Sequence, residues 1–498
     1  MKKEATDSYE HVLKYTGIFG GVQGLNILIG LVRNKLVALL LGPTGMGLAS
    51  LFQTTVNFVS QATNLGISFS AVRHVSELFD SGDETRISHI IKVVRSWSLL
   101  TGLLGMLLCM IAGPLLNAFT FSWGDHTLHF ILLSPLVFML AVTGGETAIL
   151  KGARKLRSLA MIQVVNIIAA LLIAVPVYYQ FNMTGIVPVM VMMGLVSMAL
   201  TLRHSYRFFP LQLTGAKGIL GEGMGMVRLG VAFTLAGIMG SGADFVIRSW
   251  LNVEADLDVV GLYNTGYMMT MTYAGLIFSA METDFFPRLS AVHTDWRASN
   301  EIVNKQVEVS LLLISPMLVF AQFALPYAIP LLLSVKFLPV VDMMRLLLLA
   351  LYLRAVKLPV AYLPLAKGDA LSYLLLESLY DVAVIVCVLF GYQHYGLLGT
   401  GMGIVAVAVF DYFLIIGYTF YKYHYRVTSS VAVYLLLHYT LGLAAFAVAM
   451  FTDGWHWWTG GLLLFLFSLL ATLRTLHRKV SLWNKLVSNF KQRFSRHG

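Results

Sequence analysis

Arg33, Lys35, Arg248, Arg354 and Lys357 are the basic candidates inside the long apolar runs of this chain. An ionisable side chain near the centre of a bilayer costs about 3 kcal/mol or more, so it normally faces a wet cavity or a partner. Cations gathered in such a cavity can hold an anion, and guanidinium groups suit phosphate because they present planar, paired donors. Arg354 and Lys357 are three positions apart and share a helix face. Glu377 and Asp381, also on one face of the next apolar run, can neutralise them, so cavity lining and a structural ion pair both stay open. Arg248 follows Asp244 by four residues, which leaves a local ion pair open for it as well. Arg33 and Lys35 lie close to a span end, where long side chains can snorkel to the interface.

The acidic candidates for carrying a proton or sodium ion are Asp244, Glu146, Glu377, Asp381 and Asp411, with Glu282, Asp284 and Asp342 beside them. A carboxyl group in apolar surroundings holds its proton more tightly, which suits proton coupling. Gln53, Asn57, Gln61 and Asn64 recur at four, four and three residues and paint one helix face. Helix-to-helix hydrogen bonding and contact with a sugar or headgroup both explain that stripe. Cys109 and Cys387 each sit inside an apolar run and offer neither a disulfide framework nor a spaced metal site. The glycine-rich run Gly221-Glu222-Gly223-Met224-Gly225 has no strand before it and no Gly-Lys-Ser/Thr after it, so it reads as a connector rather than a phosphate loop. No cofactor and no metal are expected.

These residues must be positioned by membrane helices. The chain has 498 residues, 57% hydrophobic and 12% charged, with a mean hydropathy of +0.75; a soluble core cannot absorb that much apolar surface. The net charge of +10 fits cytoplasmic loops facing anionic lipid better than it fits nucleic acid. Lys2, Lys3, Glu4, Asp7 and Glu10 precede the first apolar run and no small-residue cleavage site follows, so the first span is expected to be retained. A helix needs about 20 apolar residues to cross the hydrocarbon. The pattern predicts an all-α polytopic protein of about fourteen spans, near 15–37, 44–72, 96–118, 127–150, 159–179, 184–203, 229–250, 259–286, 309–333, 340–366, 371–391, 397–421, 430–451 and 456–474. Tyr179-Gln180-Phe181-Asn182 with Gly185 breaks the long run 159–202 into a hairpin. Gly399 and Gly403 predict close helix packing, and Ser81 with Glu84 has the spacing of a capping box. Lys and Arg collect in alternate connections, one of them the loop with Arg73, Arg86, Lys92 and Arg95, which predicts both termini in the cytoplasm. Leu476, Val480, Trp483, Leu486, Val487, Phe490 and Phe494 recur at helical spacing among basic residues, so the tail reads as a helix lying on anionic lipid or binding a partner.

The chain also repeats itself. Arg33 is followed 40 residues later by Arg73, and Arg248 by Arg288 at the same distance; Lys151-Gly152 comes 78 after Arg73, and Lys367-Gly368 comes 79 after Arg288. Gly47-Leu48 resembles Gly261-Leu262. Six spans separate the copies, so both have the same orientation and an axis along the membrane normal relates them. The expected organisation is an N-lobe over 1–203, a cytoplasmic connector over 204–228, a C-lobe over 229–425, an extra helix pair over 426–474 and a basic amphipathic tail over 475–498. Two six-helix lobes would enclose a central cavity.

Asn34-Lys35-Leu36-Val37-Ala38, followed by Leu41-Gly42-Pro43-Thr44-Gly45-Met46-Gly47-Leu48, resembles the opening motif of the multidrug/oligosaccharidyl-lipid/polysaccharide exporter superfamily, specifically of its O-antigen translocase branch. Gly261-Leu262-Tyr263-Asn264, Phe286-Pro287-Arg288-Leu289-Ser290 and Leu332-Leu333-Ser334-Val335-Lys336-Phe337 follow in the family's order. The extra pair of spans is similar to that of the lipid II flippases. The resemblance implies a flippase, not an enzyme, that moves an undecaprenyl-pyrophosphate-linked oligosaccharide from the cytoplasmic to the outer leaflet of the bacterial inner membrane by alternating access. Its partners would be that lipid, the surrounding membrane lipids and other polysaccharide-assembly membrane proteins. On this reading the five cations bind the pyrophosphate. A drug/cation antiporter of the same superfamily would want an acidic cavity. A membrane glycosyltransferase or polymerase would want a sizeable outer loop with catalytic carboxylates, and the outer connections here are short.

Overall fold

A computed structural model describes residues 2–479 except 82, 212–218, 273, 274, 276, 277, 279–284 and 287, and no side chains before residue 28. The expectations for Glu282, Asp284, the core of the connector and the tail beyond 479 therefore lie outside the described residues. The chain divides into two compact units, residues 1–264 with 330–337 and residues 265–329 with 338–498.

The first unit is built from α1 (Lys2–Asn64), α2 (Ile67–Ser81), α3 (Glu84–Ile111), α4 (Gly113–Thr120), α5 (Thr127–Gly152), α6 (Leu156–Phe181), α7 (Ile186–Phe208), α8 (Ile219–Glu254) and most of α9 (Leu257–Tyr267). Gly42 interrupts α1 with φ 63° and ψ −171°, immediately before Pro43. Glycine tolerates that backbone and proline cannot continue the hydrogen-bond ladder, so one apolar run becomes two spans. Another break falls where the polar residues predicted it, as a 3₁₀ turn over Asn182–Gly185 between α6 and α7. The cap of α3 differs from expectation. Helix α2 runs through Ser81, and Asp83 caps α3 instead, accepting from the Thr85 and Arg86 amides at 3.1 Å each. Trp97, Ile91 and Val94 of α3 pack with Ala71 of α2 and Ile149 of α5 in one buried cluster. The matched glycines of the repeat meet. A Cβ on Gly47 would lie 2.1 Å from the Leu257 carbonyl oxygen and one on Gly261 would lie 1.9 Å from that of Pro43, so only glycine fits either position.

The second unit contains α10 (Trp296–Leu332, whose last turn passes to the first unit), α11 (Val341–Ala366), α12 (Ala370–Tyr423), α13 (Ser429–Phe451) and α14 (Gly454–Lys479). Helix α11 is apolar on nearly every face and is buried almost without interruption from Val341 to Val356, which makes it the centre of this unit. Tyr395 and Gly396 break α12 into the two expected spans. Gly399 and Gly403 do pack closely, against the backbone of Gly391 and Cys387 on the other half of α12. The terminal pair is docked within the unit: Ser315 and Ser468 hydroxyls lie 3.2 Å apart, and Thr472 donates to the Leu312 carbonyl at 3.2 Å. Among the described residues, nine stretches are long and apolar enough to cross a membrane, and those containing Gly42, Asn182 and Gly396 each hold two segments. The protein is an all-α, multi-pass membrane protein.

Candidate functional site

Arg354 and Lys357 come together midway along α11 on the wall of a cavity of about 260 Å³ in the second unit. Pro359, two residues beyond Lys357, lacks the amide that would pair the Ala355 carbonyl, so the helix backbone beside the cavity is loosened. The opposite wall is α12. Its first half contributes Tyr373, Glu377 and Tyr380 and its second half Asp411. Lys357 Nζ lies 3.1 Å from Asp411 Oδ2 and 3.5 Å from Glu377 Oε1, and 5.0 Å from the centre of the Tyr380 ring. Asp411 and Lys357 are nearly buried, with side chains 7% and 13% exposed, while Glu377 is 27% exposed. Arg354 Nη1 lies 3.5 Å from the Met271 sulfur, and among the described residues no carboxylate is hydrogen-bonded to its guanidinium. An ammonium held between two carboxylates thus stands one turn from a guanidinium that, among the described residues, carries no carboxylate. Such a wall suits a doubly charged anion, for which the guanidinium supplies a bidentate contact and the ammonium a point charge.

The alternatives left open for this pair resolve residue by residue. Lys357 is ion-paired and lines the cavity, and Arg354 lines it with no carboxylate on it among the described residues. Glu377 is one partner of Lys357, and Asp411, not Asp381, is the other carboxylate of the cavity wall; Asp381 is buried elsewhere in α12.

The three other cations belong to the first unit. Arg33 donates to Asn34 Oδ1 at 3.0 Å and lines a hollow of about 610 Å³ with Gln53, Gln163, Asn166 and Ser197. Neither Lys35 nor Arg248 lines that hollow. Lys35 Nζ donates to the Pro330 carbonyl at 2.9 Å. Arg248 is buried, paired with Asp244 at 2.8 Å and hydrogen-bonded to Asn264 Oδ1. The polar stripe of α1 bonds locally, Gln53 to Asn57 at 2.8 Å and Asn64 to Ser68 at 3.2 Å.

Glu146 is occupied. It accepts from Arg95 Nε at 2.7 Å and Nη2 at 3.3 Å, and from Ser205 Oγ at 2.5 Å. Arg95 donates further to the Phe209 carbonyl at 2.9 Å and sits 4.4 Å over the Tyr206 ring. Sequence reasoning took Arg95 for a loop charge, and it overlooked Arg345, buried and paired with Asp342 at 2.9 Å. It also overlooked Tyr373 and Tyr380, although both are one helical repeat from Glu377 and therefore on its face. At the cap of α12, Asp369 pairs with Lys422 at 2.7 Å and accepts from the Ser372 and Tyr423 hydroxyls at 2.8 Å each. Partial burial alone would raise its pKa, and the donors from Lys422, Ser372 and Tyr423 outweigh burial and hold the carboxyl well below the usual range.

The family model described as "Polysaccharide biosynthesis protein" matches residues 12–293, more than half of the chain. The chain belongs to this family. No curated protein sequence matches it. Among solved structures, the lipid II flippase MurJ in an inward closed conformation is similar with a TM-score of 0.72 at 13% identity, over 93% of this chain and 99% of that one. An inward-facing multidrug resistance MATE family transporter of the MOP superfamily gives 0.68 at 15% identity, over 82% and 96%. A MOP superfamily transporter from Pyrococcus furiosus gives 0.56 at 14%, over 85% and 93%. This polysaccharide biosynthesis protein therefore has the fold of the MOP transporters.

Proposed function

We propose that this protein is a flippase that carries an undecaprenyl-pyrophosphate-linked oligosaccharide from the cytoplasmic to the outer leaflet of a bacterial inner membrane by alternating access, with both termini in the cytoplasm. The pyrophosphate binds at Arg354 and Lys357. The observation that carries this reading is the Arg354 guanidinium, with no carboxylate on it among the described residues, beside Lys357 on a cavity wall midway along the central helix of the second unit. Membership of a polysaccharide biosynthesis family supports the sugar-bearing substrate. Arg33, among the amides of Gln53, Gln163 and Asn166, offers donors and acceptors of the kind that sugar hydroxyls use. Lys35 donates to the Pro330 carbonyl and Arg248 is paired with Asp244, and their role in this reading is to add positive potential rather than direct contacts.

The membrane potential supplies the driving force. With the cytoplasm negative, each negative charge moved outward gains about 2.3 kcal/mol per 100 mV. A drug/cation antiporter would need free carboxylates, and in this cavity Asp411 and Glu377 already share Lys357. Proteoliposomes holding the purified protein and a fluorescent undecaprenyl-pyrophosphate oligosaccharide test the reading. The labelled lipid should become accessible in the opposite leaflet, chemically unchanged and faster with an imposed potential. Uptake of organic cations without lipid movement would contradict it, as would a new covalent sugar product.

A further inference from the structure

The two carboxylates that share Lys357 occupy the place that an anionic ligand would take on that ammonium. We propose that Asp411 and Glu377 are internal competitors of the substrate anion: they hold Lys357 in the empty carrier, the bound diphosphate displaces them, and their return to Lys357 helps to release it. The proposal rests on the assignment of Arg354 and Lys357 as the anion site.

The geometry supports a competition rather than a fixed bridge in three ways. A compact ammonium is a point charge that can change partners without matching a planar fork, unlike the bidentate Arg95–Glu146 pair. Its two carboxylates come from different halves of α12 and lie at 3.1 and 3.5 Å, so neither makes a short, exclusive contact. Arg354 stands one turn away with no carboxylate on its guanidinium among the described residues, so an arriving diphosphate can dock there before it contests Lys357.

Charge balance gives the competition a purpose. The described charged residues lining the cavity are Arg354 and Lys357 against Glu377 and Asp411, which cancel. An empty cavity holding two uncompensated cations would be costly to occlude, and the carboxylates remove that cost. They also keep the site from holding its anion too tightly, since a diphosphate gripped by two unopposed cations would leave slowly. Asp411 is the closer and more deeply buried of the two and should be the stronger competitor.

Isothermal titration of inorganic pyrophosphate into the purified full-length protein, wild type and Asp411→Asn, tests this, with Glu377→Gln as a second variant. Asp411→Asn should bind at least about fivefold tighter than wild type, and Glu377→Gln tighter by a smaller factor. In the flipping assay Asp411→Asn should lower both the apparent KM and the turnover, a split that a misfolded or merely loosened protein would not show. Binding left unchanged or weakened by both substitutions, with Arg354→Ala still abolishing it, would overturn the competition and leave the anion site standing. Binding that survives Arg354→Ala, or its absence from wild type and both variants alike, would remove the anion site itself and the competition with it.

Discussion

Two basic centres in the helices of this molecule differ in what their donors do. Around Arg95 nearly every donor is spent: a carboxylate on two nitrogens, the Phe209 carbonyl on a third contact, a tyrosine ring on the face and a serine on the far carboxylate oxygen. Around Arg354 and Lys357 the cations face open volume, one with no carboxylate on it among the described residues and one divided between two carboxylates. A cation inside a membrane helix is therefore a poor sign of a ligand by itself. What marks a ligand site is hydrogen-bonding capacity left over next to space.

That contrast predicts opposite responses to mutation. The largest effect on stability should come from Glu146→Gln, which strands a buried guanidinium and should cost about 3 to 5 kcal/mol; thermal unfolding in detergent should show it, while the protein that remains folded binds pyrophosphate as wild type does. Arg354→Ala removes a charge-assisted contact of about 1.5 to 3 kcal/mol, so flipping should fall about tenfold or more with little change in unfolding temperature. Arg354→Lys keeps the charge and loses the fork, so its flipping should lie between those rates, roughly threefold below wild type.

The smallest effect concerns Asp369, a third ion pair that is neither buried nor beside a cavity. Its pKa is depressed in the folded protein, so its contribution is present at neutral pH and is lost as the pH falls below the ordinary carboxylate range. Asp369→Asn should therefore cost about 1 kcal/mol at pH 7 and should flatten the acid limb of the stability profile. An unchanged acid limb would show that the Lys422 pair contributes nothing.

Much of the fold was legible in the sequence because span length and break residues are local properties. Asn182 to Gly185 turns as the polar run indicated, and Gly399 and Gly403 pack as their spacing indicated. Gly47 and Gly261 were legible as matched landmarks of a duplication, although nothing in their spacing said that they touch. The cavity was half legible. Arg354 and Lys357 could be placed on one face from their separation alone, and Glu377 followed as a neighbour. Asp411 could not, because it reaches Lys357 only after α12 turns back at Tyr395 and Gly396. Arg95 was misread for a related reason: its burial depends on α5 and α7, which contribute Glu146 and Ser205, and not on its own helix. The cap of α3 moved from Ser81 to Asp83 because α2 extends further than its polar end implied.

The most direct test of the central claim is the rate at which Arg354→Ala and wild type, reconstituted at equal density, flip the same undecaprenyl-pyrophosphate oligosaccharide under an imposed potential. The anion site at the α11 cavity predicts a loss of about tenfold or more with an unchanged unfolding temperature. Equal rates would contradict it.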